Sequence, residues 1–417
     1  MTGAENLDDV VAVAEDHDLV EKLSGRPICD RCLGRLFGKV STGLDNLSRG
    51  RAIRESLGIE KGTECWLCEG LFDEIEKFSK LVDKEMEKAE FETFLIGSRI
   101  DPEVENREES LWAELNLQQF EAAKSEINRE VGKILEAKPG LEVNFENPDV
   151  VAVIDTMFDH VEFNINPIFV YGRYKKSARD IPQTTWQCLS CWGKGCEKCN
   201  NTGREFATSV EEIIGTPLLE ETESEGFSFH GAGREDVDVR MLGNGRPFVL
   251  QLSRPKKRTT DFEKVQSKIN ESKVVEVTSL QPSNRQKIIE IKGARYPKSY
   301  KAIVEFASPV QEQKLKEVVR SFHSKEVAQQ TPQRVVRRRA DKVRKRKILG
   351  FQASLREDKT AELLIKAEAG TYIKELVDGD EGRTKPSLAG SLGVDCRVKF
   401  LDVIEIHDEV GSDGEEL

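Results

Sequence analysis

Residues Phe227–Leu252, FSFHGAGREDVDVRMLGNGRPFVLQL, place a short acidic cluster on a glycine-bounded turn between segments that read as strands. Phe227 to His230 alternate apolar and polar, Gly231 and Gly233 interrupt the run, and Val237, Val239 and Met241 resume it at period two. Gly243-Asn244-Gly245 reads as a hairpin turn, because glycine and asparagine accept the positive φ of a tight reversal. Phe248 to Leu252 then reads as the returning strand. Within the stretch, Gly233-Arg234-Glu235-Asp236 sets carboxylates on a tight turn at a strand end. A sheet can fix such a group while it projects into a cleft, and a neighbouring cation keeps it ionised. An isolated run of this kind is ordinarily just a charged turn, so the rest of the chain has to decide.

At 417 residues the chain is long enough for two to four domains with cores of their own. No apolar run approaches transmembrane length, and the opening MTGAENLDDVVAVAEDHD is acidic where a secretory signal would be basic and then apolar. A cytoplasmic protein with no membrane partner is expected. The net charge of -12 is segregated: Glu69 to Asp149 alone carry 22 acidic and 10 basic residues, so the remainder is neutral overall. Arg334 to Lys347, RVVRRRADKVRKRK, hold nine Lys/Arg and one Asp. That run can meet phosphates, or be a solvated charged hairpin.

Eight of the nine cysteines fall in CxxC pairs. At that spacing two sulfurs reach one tetrahedral ion, so zinc is favoured over disulfides in a reducing compartment. Cys29, Cys32, Cys65 and Cys68 make one expected four-sulfur site, and Cys188, Cys191, Cys196 and Cys199 a second, with glycines that permit a tight knuckle. Both are expected to be structural, since four thiolates leave no coordination position open. Cys396, in an alternating strand pattern, reads as a small buried residue.

Apolar residues at helical spacing predict an amphipathic helix over Phe72–Phe91. A broken stretch around Ile100–Glu109 follows, then a second helix through Phe120 to Ile134 that stops at Pro139-Gly140. The acidity on these helices reads as solvated surface. Strand-like runs cover 150–154, 161–165 and 168–171, so an α+β accessory domain is expected. It closes in Tyr171–Thr184, YGRYKKSARDIPQT, where interleaved aromatic and basic residues suit RNA, or form a charged loop. From Glu205 to His407 many strands, few helices and long loops predict a mixed sheet with a central cleft. Within it, Ser299–Phe306 and Val394–Ile406 are strands, Pro309–Phe322 a helix, and TYIKELV a short helix beginning at Gly370-Thr371.

No Walker loop, dinucleotide fingerprint or Gly-x-Ser-x-Gly elbow is present, and the five histidines form no ligand cluster. The run GREDVDVRMLGNGRPF closely resembles the active-site signature of the archaeal and eukaryotic T-loop tRNA pseudouridine synthases, the Pus-ten family. Both amino-terminal cysteine pairs, with the LGRLFGKV and EGLFDEI that follow them, resemble that family's amino-terminal zinc region. The GRYKKSARDIPQ string resembles the element closing its THUMP-like RNA-binding domain, and the second cysteine cluster resembles its archaeal members. The basic run is more charged than the family pattern.

The resemblance implies a multidomain α+β protein: a zinc region at 1–71, a THUMP-like domain at 72–185, a four-cysteine zinc knuckle at 186–204, a pseudouridine-synthase-like mixed-sheet domain at 205–407 and an acidic tail at 408–417. It implies Asp236 as the catalytic carboxylate, acting on ring or sugar, with Lys374 or Arg234 as its ion-pair partner. Tyr300 would pack beneath the target base, Tyr372 would be a second substrate-contacting tyrosine, and Leu401 would shape the pocket wall. Asp238 is the rival acid. The implied substrate is tRNA, held by its T-arm at uridines 54 and 55, and a monomer is expected. The isomerisation needs no redox step, group donor or nucleotide cofactor. The competing expectation is a non-catalytic zinc and THUMP protein that binds or chaperones tRNA.

Overall fold

The computed structural model describes residues 3–338, 340–357 and 359–408. The expected acidic tail beyond Asp408 lies outside them, as does Arg339 of the basic run. Among the described residues no helix is long and apolar enough to cross a membrane. The chain divides into two compact units, Met1–Pro167 with Arg254–Thr259, and Ile168–Ser253 with Thr260–Leu417.

The first unit holds four strands, β1 (Thr93–Arg99), β2 (Glu142–Val143), β3 (Val150–Asp155) and β4 (His160–Ile165), in the order β2-β1-β3-β4. Every second residue of β1 and β3 is buried, which is how a sheet with one covered face reads. Helix Ile75–Met86 buries Ile75, Phe78, Val82 and Met86, and helix Ala123–Glu136 buries Ile127, Val131 and Leu135. One apolar interior runs from Val10 to Phe163, so residues 10–71 and the strands after them share a core.

Of the stretch 100–109, read as broken, residues 102–109 are instead part of helix Pro102–Leu115, which Asp101 caps by accepting the Glu103 N–H at 2.8 Å. The apolar pattern is weak there because Glu108 occupies an inward position, where it pairs with the buried Arg35. Glu126 lies 3.5 Å from the same guanidinium, so part of the acidity read as solvated surface is interior charge. Helices Asp30–Arg35 and Asn46–Leu57 meet where Gly34 has no side chain: a Cβ there would stand 1.9 Å from Asn46 O.

The second unit is built on a ten-stranded sheet. Its strands are β5 (Ile168–Lys176), β6 (Gly226–Gly231), β7 (Arg240–Ser253), β8 (Val275–Ser283), β9 (Lys298–Phe306), β10 (Glu326–Gln330), β11 (Val343–Glu357), β12 (Thr360–Ala367), β13 (Thr384–Lys385) and β14 (Cys396–Ile406). They run β13-β10-β11-β12-β9-β14-β7-β5-β8, with β6 paired to β7. Only the short contact of β14 with β7 is parallel among these pairings.

Two expectations change here. Residues 168–176 do not close the smaller domain: β5 pairs antiparallel with β7 and β8, and its alternate residues Val170, Tyr174 and Lys176 enter the core of the larger sheet. Nor is Gly243-Asn244-Gly245 a reversal. It lies inside the continuous strand β7, at an irregularity where Tyr174 opposes Arg246 but Lys176 opposes Met241. Glycine is required there for close approach, since a Cβ on Gly243 would fall 1.7 Å from Ile404 O. Asn244 completes the join, donating to Ile406 O at 2.7 Å and accepting from Ile406 N at 3.1 Å. Likewise Val237 and Val239 are in loop rather than strand.

The Gly34 contact gives a stability prediction. Gly34→Ala should destabilise the smaller unit by ~3 kcal/mol, because backbone rather than a flexible side chain has to move. Denaturant unfolding followed by the fluorescence of Trp66 and Trp112 would measure it, and an unchanged midpoint would contradict the packing described.

Candidate active site

The loop between β6 and β7 carries Arg234, Glu235, Asp236 and Asp238 over the edge of a cavity of about 680 Å³. All six side chains expected to act together, Arg234, Asp236, Tyr300, Tyr372, Lys374 and Leu401, line this one cavity. They come from β9, β14, the 232–239 loop and the residues around helix Ile373–Asp378, which the sheet order brings together.

Buried side chains fix the loop. Glu235 is 6% exposed and Arg246 of β7 1%, and Arg246 Nε donates to Glu235 Oε2 at 2.9 Å. Tyr174 of β5 donates its hydroxyl to the same carboxylate at 2.9 Å, and Gln183 Nε2 donates to the Tyr174 oxygen at 2.8 Å and to Gly233 O at 3.0 Å. Arg246 Nη1 also holds Ala232 O at 2.8 Å. Lys176, fully buried, spends its three donors on Ile181 O at 2.9 Å, Asp236 O at 3.3 Å and Val237 O at 3.0 Å. Burial lowers its pKa, and the nearby carboxylates only partly offset this. Tyr174 and Lys176 belong to the string read as an RNA-facing loop; the structure makes them scaffold for the Asp236 turn. Period-two alternation from Val170 was the available signal, and it was masked by the polarity of the residues.

Of the two ion-pair partners expected for Asp236, Lys374 pairs with it, and Arg334 joins at shorter range. Arg234 reaches away from Asp236, its guanidinium 5.2 Å from the Trp186 ring centre. Lys374 lies between the two acids, 2.7 Å from Asp238 Oδ2 and 3.5 Å from Asp236 Oδ2. Burial works to raise the Asp238 pKa, but the Lys374 ammonium outweighs it and holds the carboxyl below its usual value. Among the described residues the nearest cation to Asp236 is Arg334, with Nη1 2.7 Å from Oδ2 while Nε donates to Glu375 Oε1 at 2.6 Å. Burial would lower the Arg334 pKa; Glu375 and Asp236 more than reverse this and raise it. Arg334 stood in the quoted basic run, but nothing in local spacing distinguished it from its neighbours.

Tyr300 is 8% exposed, and burial pushes its hydroxyl up to about 12, so it is a neutral ring at the cavity wall. Gln329, fully buried, clamps the Tyr372 backbone by donating to its carbonyl at 2.9 Å and accepting its N–H at 2.9 Å. Arg179 Nη1 holds the carbonyls of Leu401 at 2.8 Å and Asp238 at 2.9 Å, tying β14 to the acidic loop. The cavity lining sets five cations (Arg234, Arg246, Lys298, Arg334, Lys374) against three carboxylates (Glu235, Asp236, Asp238). A ligand that brings anionic groups suits that balance.

Each cysteine quartet has all four sulfurs within 4.8 Å of one another. Cys29 and Cys68 sulfurs are 3.9 Å apart, Cys191 and Cys199 3.8 Å, and Cys188 and Cys196 4.0 Å. Tetrahedral Zn–S bonds of about 2.3 Å put sulfurs about 3.8 Å apart, so both groups can hold such an ion. Backbone N–H groups of Gly195, Cys196 and Gly203 point at knuckle sulfurs at 3.2–3.3 Å, an arrangement that favours thiolates.

A prediction concerns the buried pair. Arg246→Met leaves the interior Glu235 carboxylate without its cation and should cost about 3–5 kcal/mol in denaturant unfolding. A loss under about 1 kcal/mol would mean that Tyr174 and Gln183 suffice to hold the loop.

Residues 169–407 match the family model described as Pus10, C-terminal, and residues 78–155 that of the Pus10 THUMP domain, archaeal. The chain is 40% identical to a tRNA pseudouridine synthase Pus10 of Methanothrix thermoacetophila, over 91% of this chain and 92% of that protein. It is 39% identical to that of Methanopyrus kandleri over 92% of this chain and 96% of that one. With that of Pyrococcus furiosus it shares 40% identity over 94% of this chain and 98% of the other.

Proposed function

The chain belongs to the Pus10 family, whose relatives named above are tRNA pseudouridine synthases, and on that premise we propose that it isomerises the T-loop uridines 54 and 55 of tRNA. The observation that carries the reading is the meeting of the Asp236 carboxylate with Tyr300, Tyr372, Lys374 and Leu401 in one cavity. In this reaction the N1 glycosidic bond of uridine is cut, the uracil turns while held, and C5 rejoins the ribose. A base in a structured loop has to leave its stack to be reached, so the nucleotide is extruded into the cavity.

Asp236 is the carboxylate that acts on the nucleoside, as nucleophile or as ribose-assisting base. Arg334 and Lys374 pair with it at 2.7 Å and 3.5 Å, and Lys176 holds its backbone carbonyl. The buried Tyr300 ring replaces the stacking the extruded uracil loses, Tyr372 contacts the substrate beside it, and Leu401 closes the wall. Arg234 and Trp186, stacked at the cavity, bear on the flanking RNA. The THUMP domain grips tRNA by shape, which fits recognition of the T-arm by a monomeric enzyme. The two cysteine quartets hold zinc as structural ions: four thiolates each leave no position for substrate. No nucleotide cofactor enters.

Tritium release from C5-labelled uridine in unmodified tRNA, followed by mapping of the product, tests the reading. Asp236→Ala should lower the rate on the order of 10³-fold or more with tRNA affinity nearly retained. A variant that keeps its rate would leave only a tRNA-binding protein. Elemental analysis should find one zinc ion for each cysteine quartet, and Cys196→Ser with Cys199→Ser should remove one of them; an unchanged zinc content would refute the knuckle site.

A further inference from the structure

Lys298 was singled out by no motif, and the mechanism above does not use it. It opens β9 two residues before Tyr300, so the two side chains leave the same face of the strand. Both line the cavity. The ammonium lies against the bare backbone of the acidic loop: a Cβ built on Gly233 would stand 3.5 Å from Lys298 Nζ and 3.1 Å from Arg246 Nη1. Among the described residues no hydrogen bond or ion pair engages that ammonium. A half-buried cation with an unspent set of donors, set beside a buried aromatic wall, is placed for a ligand atom rather than for stability.

Extending the uridine isomerisation proposed above, on which this inference rests, we propose that Lys298 is a catalytic residue that donates to a carbonyl oxygen of the target uracil and stabilises the base while it is detached. When N1–C1′ breaks, its electron pair stays on the uracil, which becomes an anion with charge spread over N1 and its carbonyl oxygens. The base turns, C5 bonds to C1′, C5 then loses its proton and N1 takes one up, so no co-reactant is needed. A fixed donor aimed where this charge develops lowers the barrier to detachment, and it keeps the free base from leaving.

Burial, helped by the neighbouring Arg246 and opposed by Glu235, brings the Lys298 pKa down to about 8. Arg234 and Asp236 line the cavity with it, Tyr300 shares its strand face, and its partners on the flanking strands, Ala367 and Ile406, carry no charge. The ammonium is therefore complete below that value and lost as pH rises through it.

The test is single-turnover tritium release at saturating unmodified tRNA across the alkaline range, with tRNA affinity measured alongside. Wild type should lose rate above pH of about 8. Lys298→Met should be slower on the order of 100-fold at neutral pH, with affinity unchanged and the alkaline fall absent. Lys298→Arg, charged throughout, should recover much of the rate and keep it at higher pH. A Lys298→Met rate within about twofold of wild type would overturn the proposal. So would weaker tRNA binding at an unchanged rate, with a salt slope smaller by about one, because the ammonium would then be holding a phosphate. So would an alkaline fall shared by Lys298→Arg. Asp236→Ala, run in parallel, separates the two readings: if it is active the isomerase reading fails, and if it is inactive while Lys298→Met matches wild type only the lysine's role fails.

Discussion

Glu235 is buried against Arg246, and the carboxylate of the next residue, Asp236, faces the cavity. Anchoring Glu235 fixes the backbone that carries Asp236. The anchor is ionic and interior, so it tolerates little displacement: a partner that moves leaves a desolvated charge uncompensated. Tyr174, Gln183 and Lys176 satisfy the remaining donors and acceptors around it, and Lys176 reaches the Asp236 carbonyl itself. The loop is thus held by side chains from β5 and β7, without being part of either strand.

That arrangement explains why β5 joins the larger sheet. Its residues carry the Tyr174 hydroxyl and the Lys176 ammonium, and only pairing with β7 brings both beneath the loop. The irregularity in β7 serves the same end. Between Met241 and Arg246 the strand bulges over β14, where the missing side chain of Gly243 lets the two backbones meet. Arg246 is thereby aimed inward, while Arg240 turns to Asp402 on β14 with Nε 2.8 Å from Oδ1.

The charges of the cavity form two tiers. Toward the floor, Arg246 and Lys298 outnumber Glu235; toward the rim, Arg334 and Lys374 face Asp236 and Asp238. The rim cations are shared between carboxylates, since Arg334 also binds Glu375 and Lys374 is nearer to Asp238. Neither is committed to Asp236 alone. One partner can therefore be redirected toward an incoming RNA while the other stays beside Asp236, at a cost far below that of breaking the floor network.

Short spacing was enough to mark the GRED turn and both cysteine quartets, a turn and a pair of knuckles, whereas Tyr300, Tyr372, Lys374 and Leu401 carried a site role only through the family resemblance of the motifs around them. Strand periodicity likewise marked β9 and β14, and helical periodicity marked Ile75–Met86 and Ala123–Glu136. What spacing could not supply was the partner of each charge. Arg334 meets Asp236 from 98 residues away, and Tyr174 meets Glu235 from 61. Lys176 read as part of a basic loop until the sheet order buried it, and nothing in local spacing marked Arg246 as interior. A buried charge has the same letter as an exposed one, and only the packing of distant strands determines which it becomes.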